Sequence, residues 1–269
     1  PLAFWIRYTI FSPAGRPRDA IGELWAIHFD GEARTVTAVK EEHPIKNCSF
    51  AKSELDVRVG DAILDASSLR GSASTGDDRV EWSLRYTEGQ SPLLTFDEKL
   101  YATPIPKAKA LVGSPNAAYR GHVTVNGARH EIDGWVGSQN HNWGEKHTDK
   151  YAWGQVCGFD EDPDAFLEVG CGQIKIGPVL TPPMTVLVLR LDGEEHAFNT
   201  IQKGLRAKGS YDYFRFAFET GNDAITISGN IAAAADEFVG LPYGNPPGGT
   251  KTCLNSKIAR CDLTIRQKG

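Results

Sequence analysis

The residues best suited to chemistry crowd between Trp135 and Gln155, in WVGSQNHNWGEKHTDKYAWGQ. This stretch holds three of the six tryptophans and two of the seven histidines, with two asparagines, two glutamines and an aspartate. In extended backbone the side chains alternate between faces. His141 and Trp143 therefore share a face with Gln139, while Asn142 takes the other. An imidazole titrates near neutral pH and can give or take a proton. An indole face holds a cation by about 0.5–2 kcal/mol. Acid-initiated chemistry on a carbon–carbon double bond uses such a pair: a donor protonates the alkene, and the ring holds the carbocation until water, a base or another double bond captures it. The plainer reading is a satisfied histidine beside a core tryptophan.

Further along, His147, Asp149, Tyr151, Trp153 and Gln155 share a face if the strand there begins early. A His–Asp pair two residues apart could orient an imidazole for acid–base work. Alternatively, the pair hydrogen-bonds backbone at a turn. Glu168 stands alone among apolar neighbours in Ala165-Phe166-Leu167-Glu168-Val169. Turned inward with Phe166, its carboxyl would be kept protonated by desolvation and serve as an acid. Turned outward, it is an ordinary surface carboxylate.

His130, His141, His147 and Asp149 are separated by eleven, six and two residues, which matches no compact metal motif, and no metal is expected. No glycine-rich phosphate loop links a strand to a helix, so no nucleotide cofactor is expected. There is no Gly-x-Ser-x-Gly elbow.

Nearly every segment that could position these groups has period two. Phe4–Ile10, Glu23–Phe29, Thr35–Lys40 and Val80–Tyr86 read as strands. Tyr119–Val125 and Ala128–Trp135 flank Asn126-Gly127, which suits a type I′ hairpin turn. Tyr151–Phe159, Ala165–Ile176, Thr185–Leu191, Tyr211–Glu219, Ala224–Ile231 and Lys257–Ile265 complete the list, with Gly240–Gly249 as a loop. Helical signals are weak. About fifteen to eighteen strands exceed one ordinary barrel of about eight, so the chain is expected to be all-β with two barrel-like halves, residues 1–137 and 138–269, and the site near the junction.

The 269 residues carry a formal net charge of −5, with no basic stripe that would suit nucleic acid. No apolar run reaches the roughly 20 residues needed to span a bilayer. The five cysteines suit buried thiols and a reducing, cytoplasmic setting, with Cys253–Cys261 and Cys157–Cys171 bridges left open. The chain starts at Pro1 with none of the marks of a signal peptide. A homo-oligomer is compatible with all of this.

His141-Asn142-Trp143-Gly144, followed by Tyr151 and Trp153, resembles the lipocalin-like family of carotenoid 1,2-hydratases and AttH-like bacterial proteins. Tocopherol cyclases and lipocalin-like pericyclases are similar at a greater distance. The resemblance implies two lipocalin-like antiparallel β-barrel domains in tandem, an apolar cavity, no cofactor, and a hydrophobic terpenoid, polyene or polyketide substrate with possible membrane contact. It implies catalytic roles for His141, Trp143 and either Glu168 or Asp149; Gln139, Asn142, Tyr151, Trp153 and Gln155 are expected around the substrate. Three functions follow: a hydratase or cyclase that protonates an alkene, a pericyclase that folds a polyene, and a non-catalytic carrier.

Overall fold

Period-two text becomes strand almost throughout the computed structural model, which describes residues 1–87 and 89–267. Strand accounts for 63% and helix for 7%, so the chain is all-β, built of curled antiparallel sheets. The helices Glu98–Tyr101 and Ile201–Arg206 are short, and the side chains of Asp97 and Thr200 cap them by accepting from Lys99 N and Lys203 N. All five cysteines are free thiols, so neither open bridge forms.

Contacts divide the chain into two units, each assembled from three segments. One comprises Pro1–Glu88, Ala118–Trp135 and Ala234–Ile258; the other comprises Gly89–Ala117, Val136–Ala233 and Ala259–Gly269. The single break expected at 137/138 lies close to one of these crossings, Trp135/Val136. The others were hidden because strands Ala108–Val125 and Ala128–Gly144 run on far beyond the expected Tyr119–Val125 and Ala128–Trp135. The Asn126-Gly127 turn does join them. Both residues have positive φ, 49° and 85°, as a type I′ turn requires, and Asn126 Oδ1 accepts from Arg79 N at 2.8 Å.

In the first unit, strands Leu2–Phe11, Ile21–Asp30 and Thr35–Pro44 form an antiparallel sheet whose central strand is buried on both faces. Trp25, Ile27 and Phe29 pack with Leu241 and Tyr243. The latter two lie on strand Val239–Gly244, paired with Thr250–Asn255, where a loop was expected. Pro242 is tolerated in this two-stranded ribbon, and Pro246-Pro247-Gly248-Gly249 falls in its connecting turn, outside the sheet. On the other face, Trp82 Nε1 donates to the Tyr8 hydroxyl at 2.8 Å, and that hydroxyl donates to Ile63 O at 2.9 Å.

In the second unit, strands Lys150–Cys157, Phe166–Gln173, Met184–Leu191 and Glu194–Phe198 pair in that order. A further sheet contains Lys208–Tyr211, Arg215–Gly221, Ile225–Ala232 and Arg260–Gln267. Leu167, Val169, Leu187 and Leu189 of the first meet Phe216, Phe218 and Ile227 of the second. Each such fully buried side chain contributes about 1.5–3 kcal/mol. The expected strand Tyr211–Glu219 is broken because Asp212 Oδ1 accepts from both Phe214 N and Arg215 N, making a local turn in place of ladder bonds.

Candidate functional site

Alternation decides where Glu168 points. Leu167 and Val169 face the core between the two four-stranded sheets, so Phe166 and Glu168 face the other way, with Leu93, Val112 and Val188 gathered around Phe166. Glu168 is thus the inward carboxyl, only 2% exposed. Trp153 Nε1 donates to its Oε1 at 2.8 Å, and Gln155, directly opposite on the neighbouring strand, donates from Nε2 to its Oε2 at 2.9 Å. The Thr95 hydroxyl adds a longer 3.4 Å bond to Oε1. Without such donors, burying a carboxyl would cost several kcal/mol.

Gln155 is itself held in place. Its Oε1 accepts from the Ser138 hydroxyl, its Nε2 donates to Asn140 Oδ1 at 2.9 Å, and Asn140 Nδ2 donates to Ser138 Oγ at 2.8 Å. These amide orientations are mutually consistent and give a closed polar ring that ends on Glu168. Ser138, Asn140 and Thr95 were missed from the sequence. Ser138 and Asn140 lie on the opposite alternation face from Gln139, His141 and Trp143, the face chosen for its histidine and indole.

His141 and Trp143 do come together. Their rings stack with centroids 4.9 Å apart and 27° between planes, and the Tyr101 ring lies 5.9 Å from Trp143. Alternation turns this stack away from the side of Ser138 and Asn140. His141 is exposed, and partial desolvation by its stacked neighbour moves its pKa below the ordinary histidine value. Tyr101 connects the two groups: its hydroxyl donates to Ala110 O at 2.6 Å, and its pKa is raised mainly by burial and further by the nearby Glu168. Gln139 Nε2 donates to Asn140 O at 3.0 Å, and its side chain lies over Gly113, where any Cβ would collide with it.

Asp149 precedes the strand that starts at Lys150, so it does not join the Tyr151, Trp153, Gln155 face. Its carboxylate accepts from Lys146 Nζ at 2.8 Å and Lys175 N at 2.9 Å, which ties its own loop to the short strand Lys175–Ile176. Asn142 is exposed. Trp143, Tyr151 and Trp153 are each about two-fifths exposed. Among the described residues, no group of three or more His, Cys, Asp or Glu side chains is gathered as metal ligands.

No protein-family model matches the chain, and no curated protein matches it. Among solved structures it is similar to a candidate AttH from Nitrosomonas europaea, with a TM-score of 0.63 and 13% identity, over 100% of this chain and 87% of that one. At that identity the likeness is one of fold: the chain has an AttH-like fold.

Proposed function

We propose that this protein is a cofactor-independent hydratase or cyclase that protonates a carbon–carbon double bond of an apolar, unsaturated substrate. The observation that carries this reading is Glu168, a carboxyl 2% exposed whose partner indole, Trp153, is 42% exposed on an outer strand of its sheet. The substrate lies against the exposed Tyr151 and Trp153 rings, which share a face of strand Lys150–Cys157. When substrate displaces the Trp153 indole from Oε1, that oxygen loses its N–H donor and the buried carboxyl takes up a proton from water, because desolvation now favours its neutral form. Glu168 passes that proton to the alkene while the Trp153 face holds the developing cation. The Glu168 carboxylate left behind takes back the proton lost from water or from carbon, which closes the cycle. The AttH-like fold agrees with this reading and does not choose the substrate.

The test uses acyclic isoprenoid polyenes in detergent micelles, assayed in D2O. Wild type incorporates solvent deuterium into product, and Glu168→Gln lowers the rate about a hundredfold or more. Product free of deuterium, or undiminished turnover in Glu168→Gln, refutes it. A carrier is the second reading, favoured because both Glu168 oxygens accept donors from the protein itself. It requires that polyene quenching of tryptophan fluorescence persist in Glu168→Gln with no product in either protein.

A further inference from the structure

Beyond strand Phe166–Gln173 the chain folds into a two-stranded hairpin, Lys175–Ile176 paired with Val179–Leu180. Gly177, at φ 60°, and Pro178 make its turn. Ile176 and Val179 face each other across this hairpin and are 67% and 65% exposed. Ile174 shares their face by alternation and is exposed too. One face of the projection is therefore bare aliphatic side chain, while Lys175 and half-buried Leu180 occupy the other.

Three observations bear on what would cover that face. The hairpin root is fixed to the loop between strands Ala128–Gly144 and Lys150–Cys157: Asp149 accepts from Lys175 N at 2.9 Å. That loop carries Lys146, and Lys150 opens the strand after it; with Lys175 on the hairpin these are three lysines, while the loop's two carboxylates, Glu145 and Asp149, pair with Lys107 and Lys146. This is a basic neighbourhood in a chain of net charge −5. Finally, the strands on either side of the loop bring the exposed rings of Trp143, Tyr151 and Trp153. Aliphatic tip, amphipathic rings and lysines together are the chemistry of a membrane interface, where Trp and Tyr settle at headgroup depth and lysines meet anionic phosphates.

We propose that the Ile174–Leu180 hairpin inserts its tip into an anionic lipid bilayer, with Lys146, Lys150 and Lys175 on the headgroups. This rests on the proposed function in one respect: it explains how a substrate dissolved in lipid reaches the exposed Tyr151 and Trp153 rings without crossing water. No helix among the described residues is long and apolar enough to cross a membrane, so the contact is peripheral.

The test is co-sedimentation of the whole protein, without substrate, with vesicles of phosphatidylcholine alone or mixed with phosphatidylglycerol. Wild type should pellet with the mixed vesicles and be released by high salt. Ile176→Asp/Val179→Asp should weaken partitioning about tenfold or more, and Lys150→Glu/Lys175→Glu should remove the preference for anionic lipid. An unchanged urea midpoint in both variants confirms that they fold. No sedimentation of wild type, or equal sedimentation of the Asp variant, overturns the proposal. Binding is read without turnover, so a membrane-bound protein that yields no product would sink the enzymatic reading alone.

Discussion

Trp153 and Trp143 differ in one respect that an experiment can isolate. Both indoles are about two-fifths exposed, so replacing either by phenylalanine removes a similar amount of partly buried ring. Trp153 Nε1 also donates to buried Glu168 at 2.8 Å, whereas the described contacts of Trp143 are ring stackings on His141 and Tyr101. Removing a donor from a buried carboxyl costs about 1–3 kcal/mol, while a stacking change at the surface costs less than about 1 kcal/mol. Trp153→Phe should therefore be about 1–2 kcal/mol less stable than Trp143→Phe in urea unfolding monitored by circular dichroism. At a typical m-value of about 2 kcal/mol/M, the gap is roughly 0.5–1 M in midpoint. A cycle with Glu168→Gln should show coupling between positions 153 and 168 and none between 143 and 168. If the two tryptophan variants unfold together, within about 0.3 M urea, the Trp153–Glu168 bond contributes nothing and the site as described collapses.

Tyr8→Phe should cost about 1–3 kcal/mol, because the hydroxyl both accepts from buried Trp82 and donates to Ile63 O; thermal unfolding checks it. Gly121→Ala should be far worse, since a Cβ there strikes the Ser83 backbone carbonyl at a φ of +132°. Poor soluble yield or a drop in melting temperature above about 10 °C is the expected result. His28 gives a pH dependence. Its pKa is lowered, first by burial and then by neighbouring His130, against a smaller opposite pull from Asp30. As pH falls, the unfolded chain takes up this proton first, so stability is full above the unfolded value and declines as pH drops through the window below it. Urea midpoints should fall from pH 7.5 to 5.5 in wild type and fall less in His28→Leu; identical slopes would contradict the assignment.

The fold class was legible because alternation is a short-range signal. VEWSLRY reads as a strand and is one, with Val80, Trp82, Leu84 and Tyr86 buried in turn. The Asn126-Gly127 turn was legible for a similar reason: two residues specify its backbone. The division into units was not, since it depends on which strands meet across more than a hundred residues, and nothing in Gly89 or Ala118 marks a crossing. The candidate site was half legible. Trp153, Gln155 and Glu168 converge because positions 155 and 168 are cross-strand partners, a register that alternation permits without specifying. Asp149 drew attention as a carboxylate near a histidine, yet one residue of strand boundary decides its fate. It falls just outside, where the nearest cations and backbone donors claim it.

The sheet that carries the site uses its two faces differently, and this bears on which residues do chemistry. Leu167, Val169, Leu187 and Leu189 on one face are buried almost completely, so the strand bearing Glu168 is fixed by packing that does not involve the carboxyl. Glu168 therefore stays buried whether or not its own bonds are favourable, and its donors offset a desolvation that the opposite face imposes. Such a carboxyl is held in place by the fold, and the donors that reach its oxygens include an indole, an amide and a hydroxyl. Neutral donors of this kind can exchange for a substrate's polar groups or for water when the Trp153 ring moves, which an ion pair with lysine or arginine would resist. His141, by contrast, has its ring on an aromatic neighbour at an open surface. If either group exchanges a proton with carbon, Glu168 is the one beside the half-exposed Trp153 ring, while the His141–Trp143 stack faces away from it.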